Sequence, residues 1–70
     1  MTVADLSARS HLLYSASKVM ASAYRKGAQS RLDGGHGTNP YRDRGHGGFA
    51  TGCHRAWWHG WRDVDAGRVR

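Results

Sequence analysis

Seventy residues with 39% hydrophobic content allow one small domain, because a chain of this length buries only about 60% of the surface its unfolded state exposes. Eleven Lys and Arg against five Asp and Glu give a formal charge of +6, and nine of the cations are arginine. The balance points to a polyanionic partner, while the single Cys53 excludes an internal disulfide and fits a reducing compartment.

The charge is spread along the chain. Five cations against two acids precede residue 34 and six against three follow it, so each part carries +3. That pattern predicts a basic folded surface in preference to a basic tail. Arginine suits such a surface because its planar fork donates two parallel hydrogen bonds to phosphate and also stacks on bases. With ten glycines and no disulfide framework, the domain is expected to draw stability from a homodimer or a bound partner. Met1 to Ser10 is too polar for a signal peptide, and no apolar run approaches the roughly 18 residues of a membrane span. The expectation is a cytoplasmic protein with no membrane partner.

In chain order, Thr2-Val3-Ala4-Asp5 has the form of a capping box and predicts a first helix over about residues 3–32. Leu6, Leu13, Ala16, Met20, Tyr24 and Gly27 fall within roughly 80° of one another at 100° per residue, and Leu12, Val19 and Ala23 widen that stripe. His11, Lys18, Ser22, Arg25 and Gln29 take the opposite face. The serines at 7, 10, 15, 17 and 22 lower the helix propensity, so the first turns are expected to fray. Gly27 lies on the apolar stripe, where glycine is unfavourable by about 1 kcal/mol against alanine unless a bulky group must come close. A tryptophan of a second helix is the expected neighbour.

Asp33-Gly34-Gly35 predicts a helix stop. Residues 33–48 read as a linker rich in glycine and histidine, with the only proline and two Gly-His-Gly triplets at 35–37 and 45–47. Asn39-Pro40-Tyr41 should be extended or turned, with the Tyr41 ring docked back onto the helices. A second helix is expected over about residues 50–66, and residues 67–70 form a basic tail expected to be mobile. Ala50, Cys53, Trp57, Trp61 and Val64 make its apolar stripe; Arg55, His59 and Arg62 make a separate cationic one, with Trp58 between the two. The fold class is therefore all-α, a two-helix hairpin-like domain around a glycine-rich linker, dimeric if the partner is a second copy.

The three tryptophans within five positions, Trp57, Trp58 and Trp61, are the least ordinary feature. The simplest reading has all three filling a core. The sharper one keeps Trp57 and Trp61 as core against Gly27 and leaves Trp58 free to stack on a base or anchor a protein partner. Five histidines and Cys53 lack the paired, closely spaced ligands of a structural zinc site, so no metal is expected. A Cys53-His54 nucleophilic pair has little to orient a base, and the glycine-rich segment matches neither a Walker loop nor a dinucleotide fingerprint. The expectation is a protein without cofactor or enzymatic activity.

Ala23-Tyr24-Arg25-Lys26-Gly27, Gly34, Asn39-Pro40-Tyr41 and Trp57-Trp58-His59-Gly60-Trp61-Arg62, in that order, resemble the ribosome modulation factor family over about residues 23–64. The resemblance implies a small helical protein that binds the small ribosomal subunit, contacts ribosomal RNA near the messenger-binding region and promotes inactive ribosome dimers in slow growth. Arg25, Lys26, Arg55 and Arg62 would then contact phosphate, with Tyr41 and Trp58 as aromatic contacts and His59 beside them on the cationic stripe. Members of the family also occur as small stand-alone proteins in bacterial and phage genomes. A second class stays open: a protein-interaction module or inhibitor of a nucleic-acid-handling complex, with the same cations on an acidic protein surface and Trp58 as anchor. Binding to plain DNA is a third.

Overall fold

The computed structural model describes residues 5–35, 37–41 and 49–70, with the side chains of residues 49–51 left aside. The expected Thr2 cap, His36 of the first Gly-His-Gly triplet, the whole second triplet at 45–47 and the Ala50 side chain lie outside these residues. The fold is all-α: α1 spans Leu6–Leu13, α2 Lys18–Leu32 and α3 Phe49–Asp65, and no strand is formed among the described residues.

The single first helix expected from periodicity is two helices. Asp5 caps α1 by accepting from the Ala8 amide at 3.0 Å. The chain then leaves helical geometry at Tyr14, and Ser17, extended at φ −146°, starts α2 by accepting from the Met20 amide at 3.2 Å. A serine hydroxyl offers the backbone this alternative, and the Ser15-Ala16-Ser17 run takes it in the middle of the apolar stripe. The stripe loses its continuity there, and Leu12, at 78% exposure, points to solvent with Val19 also exposed.

Helices α2 and α3 form the core through small residues. A Cβ on Gly27 would overlap the Trp57 carbonyl, and one on Gly60 would overlap the Tyr24 carbonyl. Each helix therefore presents a glycine to the backbone of the other, an approach that also sets Cα–H groups against carbonyl oxygens. Around this crossing Ala23, Tyr24, Cys53 and Ala56 are buried together, with Leu6, Tyr14, Met20 and Tyr41 packed on them.

The expected hairpin is not what forms. Met20 lies against Gly52 near the start of both helices, and Arg31 pairs with Asp65 at 2.9 Å near the end of both. Helices α2 and α3 thus run in the same general direction. The connecting chain returns along α3: Gly34 and Gly35 lie near Trp61 and Asp65, Gly37 against Trp58 and Trp61, and Asn39 against His54. The Asn39 side chain donates to the His54 carbonyl at 2.9 Å and accepts from the Tyr41 amide, while His54 Nδ1 donates to the Tyr41 carbonyl at 2.7 Å. The segment read as a linker is, over these residues, part of the packed structure. A hairpin was expected because close helices joined by few residues are antiparallel; this connection is long enough to travel back.

The tail is also docked. Gly67, at φ +74°, closes α3 with the Gly67 amide on Val64 O and the Arg68 amide on Asp63 O at 2.7 Å. That turn buries Val69 and brings the Arg70 carbonyl to the Leu6 amide at 3.1 Å.

Candidate nucleic-acid interface

One turn of α3 separates Arg55 from His59 and another part-turn brings Arg62; Arg55 and Arg62 are exposed, while the His59 ring lies edge-on to Tyr24 of α2 at 5.2 Å between centroids. Together with His54, Trp58, Asp63 and Arg68 the three line an open groove of about 500 Å³. The Trp58 ring is held by edge contacts from Trp57, at 5.2 Å between centroids, and Trp61, at 5.7 Å. Gly37 packs against its rim, where a side chain would collide. The Arg62 guanidinium stands 5.9 Å over the ring, within cation–π range. The groove thus combines packed aromatic surface with arginine cations, the pairing used to bind a phosphate backbone and its bases.

The floor of the groove holds a carboxylate that sequence reasoning missed. Asp63 is fully buried and accepts from Tyr24 Oη at 2.6 Å, Arg9 Nε at 2.9 Å and Arg68 Nη1 at 3.2 Å. His59 Nε2 lies 3.4 Å from the same carboxylate, one turn earlier on α3. A proton on that nitrogen leaves Nδ1 to accept from Tyr14 Oη at 2.9 Å. The hub joins all three helices and the tail: α1 through Arg9, α2 through Tyr24, α3 through His59 and Asp63, and the C-terminal turn through Arg68.

Burial pushes the Asp63 carboxyl up, but the hydrogen bonds from Tyr24, Arg9 and Arg68, with the nearby His59, outweigh it and hold the group below the usual carboxylate range. Burial, then the hydrogen bond to Asp63 and its charge, raise Tyr24 above the ordinary phenol value against a lowering by Arg9, and burial followed by the Asp63 charge raises Tyr14. Arg9 is raised by its bond to Asp63. Asp63 is therefore an ionised acceptor at neutral pH, and its charge is taken up by the groups that organise the groove.

The remaining candidate residues divide. Trp57 is buried at 2% against Gly27, through its backbone and not its ring, whereas Trp61 is half-buried beside Arg31, whose guanidinium stands 5.6 Å over it. Trp61 sits about 100° around α3 from Gly60, which faces the α2 backbone, and this angle carries it out of the interface. Arg25 belongs to a different groove, where its guanidinium donates to Ser10 Oγ at 3.3 Å. Lys26 is exposed, and Tyr41 packs on the core with its carbonyl tied to His54. Cys53 is buried in the core. Among the described residues no group of three His, Cys, Asp or Glu could hold a metal ion, and no helix is long and apolar enough to cross a membrane.

The signal for Asp63 was present in another form. Gly52, Ala56 and Gly60 recur every four residues and mark the true contact face of α3 by size, and Asp63 sits on the edge of that face. A stripe drawn by hydrophobicity alone follows the tryptophans instead. Comparison with protein-family models, curated proteins and solved structures finds no match.

Proposed function

We propose that this protein is a non-enzymatic RNA binder, acting in the cytoplasm of a bacterium or on behalf of a phage, whose target is ribosomal RNA of the small subunit, as the resemblance to ribosome modulation factor implies. The observation that carries the reading is the α3 groove, which Arg55, Arg62 and Arg68 line together with Trp58, the Arg62 guanidinium standing over the ring. Cations there would track phosphate, and Trp58 would take a base once Arg62 swings aside. Modulation of translation or ribosome hibernation would follow from occupancy of that RNA.

The test is binding to ribosomal RNA across a salt series. Wild-type affinity should fall linearly on logarithmic axes, and Arg55→Gln with Arg62→Gln should reduce the slope by about 1.4 to 1.8, the loss of two phosphate contacts. Affinity insensitive to salt, or no binding to ribosomal RNA, would overturn the reading.

A second reading, the protein-interaction module, is favoured by Leu12 and Val19, aliphatic side chains exposed at the α1–α2 corner. Recovery from bacterial lysate with and without nuclease separates the two. Nuclease-sensitive recovery of ribosomal subunits supports RNA binding; nuclease-resistant recovery of one non-ribosomal protein supports the module.

A further inference from the structure

A second groove of about 290 Å³ lies between the end of α1 and the start of α2, lined by His11, Tyr14, Ser15, Lys18, Ala21 and Arg25. Between Leu6 and Leu32 the chain has no acid at all, so the Lys18 and Arg25 charges face no carboxylate of their own helices. Arg25 is aimed by its bond to the buried Ser10, which in turn donates to the Ser7 carbonyl at 2.8 Å. Lys18 is exposed at the first position of α2. Tyr14 lines this groove and His59 lines the α3 groove, and the two side chains are hydrogen-bonded at 2.9 Å with ring centroids 6.0 Å apart. The grooves therefore meet at one side-chain pair, held from beneath by Asp63.

We propose that these two grooves form one track, in which a single RNA strand stacked at Trp58 continues past the Tyr14–His59 pair and places further phosphates on Lys18 and Arg25. The inference rests on the RNA-binding reading of the α3 groove and adds the path of the strand. A single strand is chosen over a duplex because the two grooves are separated by a ridge of side chains that a flexible backbone can step across, and because Trp58 needs an unpaired base face. Tyr14 and His59 add hydroxyl and ring surface at the step between the two sites. On this path Arg25 belongs with Arg55 and Arg62, although the two sets lie on different helices and in different grooves.

The experiment uses the full chain and single-stranded RNA of about four and about twelve nucleotides, lengths that bracket one groove and the whole track. Fluorescence anisotropy is read across a salt series for each. For wild type the longer strand should show the steeper salt dependence. Lys18→Gln with Arg25→Gln should lower that slope by about 1.4 for the long strand and leave the short strand unchanged, whereas Arg55→Gln with Arg62→Gln should weaken both. Because Arg25 touches Ser10, Lys18→Gln alone serves as a second variant, with an expected loss of about 0.7 in slope. Equal slopes for the two lengths in wild type, or no effect of Lys18 and Arg25 on the long strand while Arg55 and Arg62 still matter, would confine binding to the α3 groove and overturn the track. If neither strand binds wild type, the RNA reading itself falls and the track with it.

Discussion

The α2–α3 crossing and the layer formed by α1 with the tail differ in what limits each contact, backbone shape in the first and charged side chains in the second. At the crossing two glycines let backbones meet, and Ala23, Tyr24, Cys53 and Ala56 are buried around them, with the Tyr24 hydroxyl reaching Asp63 beside it. The second layer buries Val69 and packs Leu6 and Tyr14 on the core. It is fastened by Arg9 and Arg68 on Asp63, by Tyr14 on His59, and by the Leu6 amide on the Arg70 carbonyl. A contact made by shape tolerates almost no added volume. One made by charge tolerates volume but depends on protonation, and that sensitivity reaches the groove because Asp63 and His59 belong to both.

The comparison is broken most severely at the crossing. Gly60→Val should destabilise the fold by about 3 kcal/mol or more, at or beyond the upper end for overpacked cores, because the new atoms meet the backbone of α2 and not a side chain that can turn away. Gly27→Ala should also destabilise, although alanine is the better helix former by about 1 kcal/mol. Thermal unfolding followed by helical circular dichroism checks both, and a gain in stability at Gly27 would show that the helices do not approach as described.

The second layer should yield at Asp63. Asp63→Asn removes the charge that three donors share and should lower stability by about 2 kcal/mol, with Arg9 and Arg68 recovering part of the loss through their own exposure to water. The pH dependence has a defined sign. The Asp63 carboxyl is depressed in the folded state, so its contribution is present above the ordinary carboxylate value near 4 and is lost as pH falls through the lower folded value. Tyr24 is raised, so its contribution is present below the ordinary phenol value near 10 and is lost as pH climbs through the higher folded value. Unfolding midpoints measured across pH should show an acid limb that is diminished in Asp63→Asn.

The smallest effect is expected where the two layers join. Ser17→Ala removes the cap that starts α2 and should lower stability by about 1 kcal/mol. If α1 and α2 were one continuous helix, the same change would raise helix propensity and stabilise the protein, so the sign alone decides whether the break is real.

Much of the α2–α3 unit was legible because its signals are local. Gly34 stops α2 at φ +82° and Gly67 stops α3 at φ +74°, both where a left-handed residue was needed. Gly27 announced a close neighbour by being a poor helix former on a buried stripe. The cationic residues Arg55, His59 and Arg62 share a face through spacing alone, and they line the groove. The break at Ser17 was not legible, since an apolar period that continues on both sides of a capping serine reads as one helix. Neither was the hub: Arg9, Tyr24, Asp63 and Arg68 come from three helices and the tail, and no pattern in the chain links them.

The sequence by itself determined the helices' composition, their glycine stops, the cationic face of α3 and the need for a close contact at Gly27, because each depends on residues within a few turns of one another. Only the tertiary structure decided that α2 and α3 run the same way, that the chain between them returns along α3, that the tail folds back, and that one buried carboxylate ties α1 to the groove. Those outcomes depend on which distant groups can satisfy one another once water is excluded, and burial of a charge such as Asp63 is tolerable only after its donors have been brought to it.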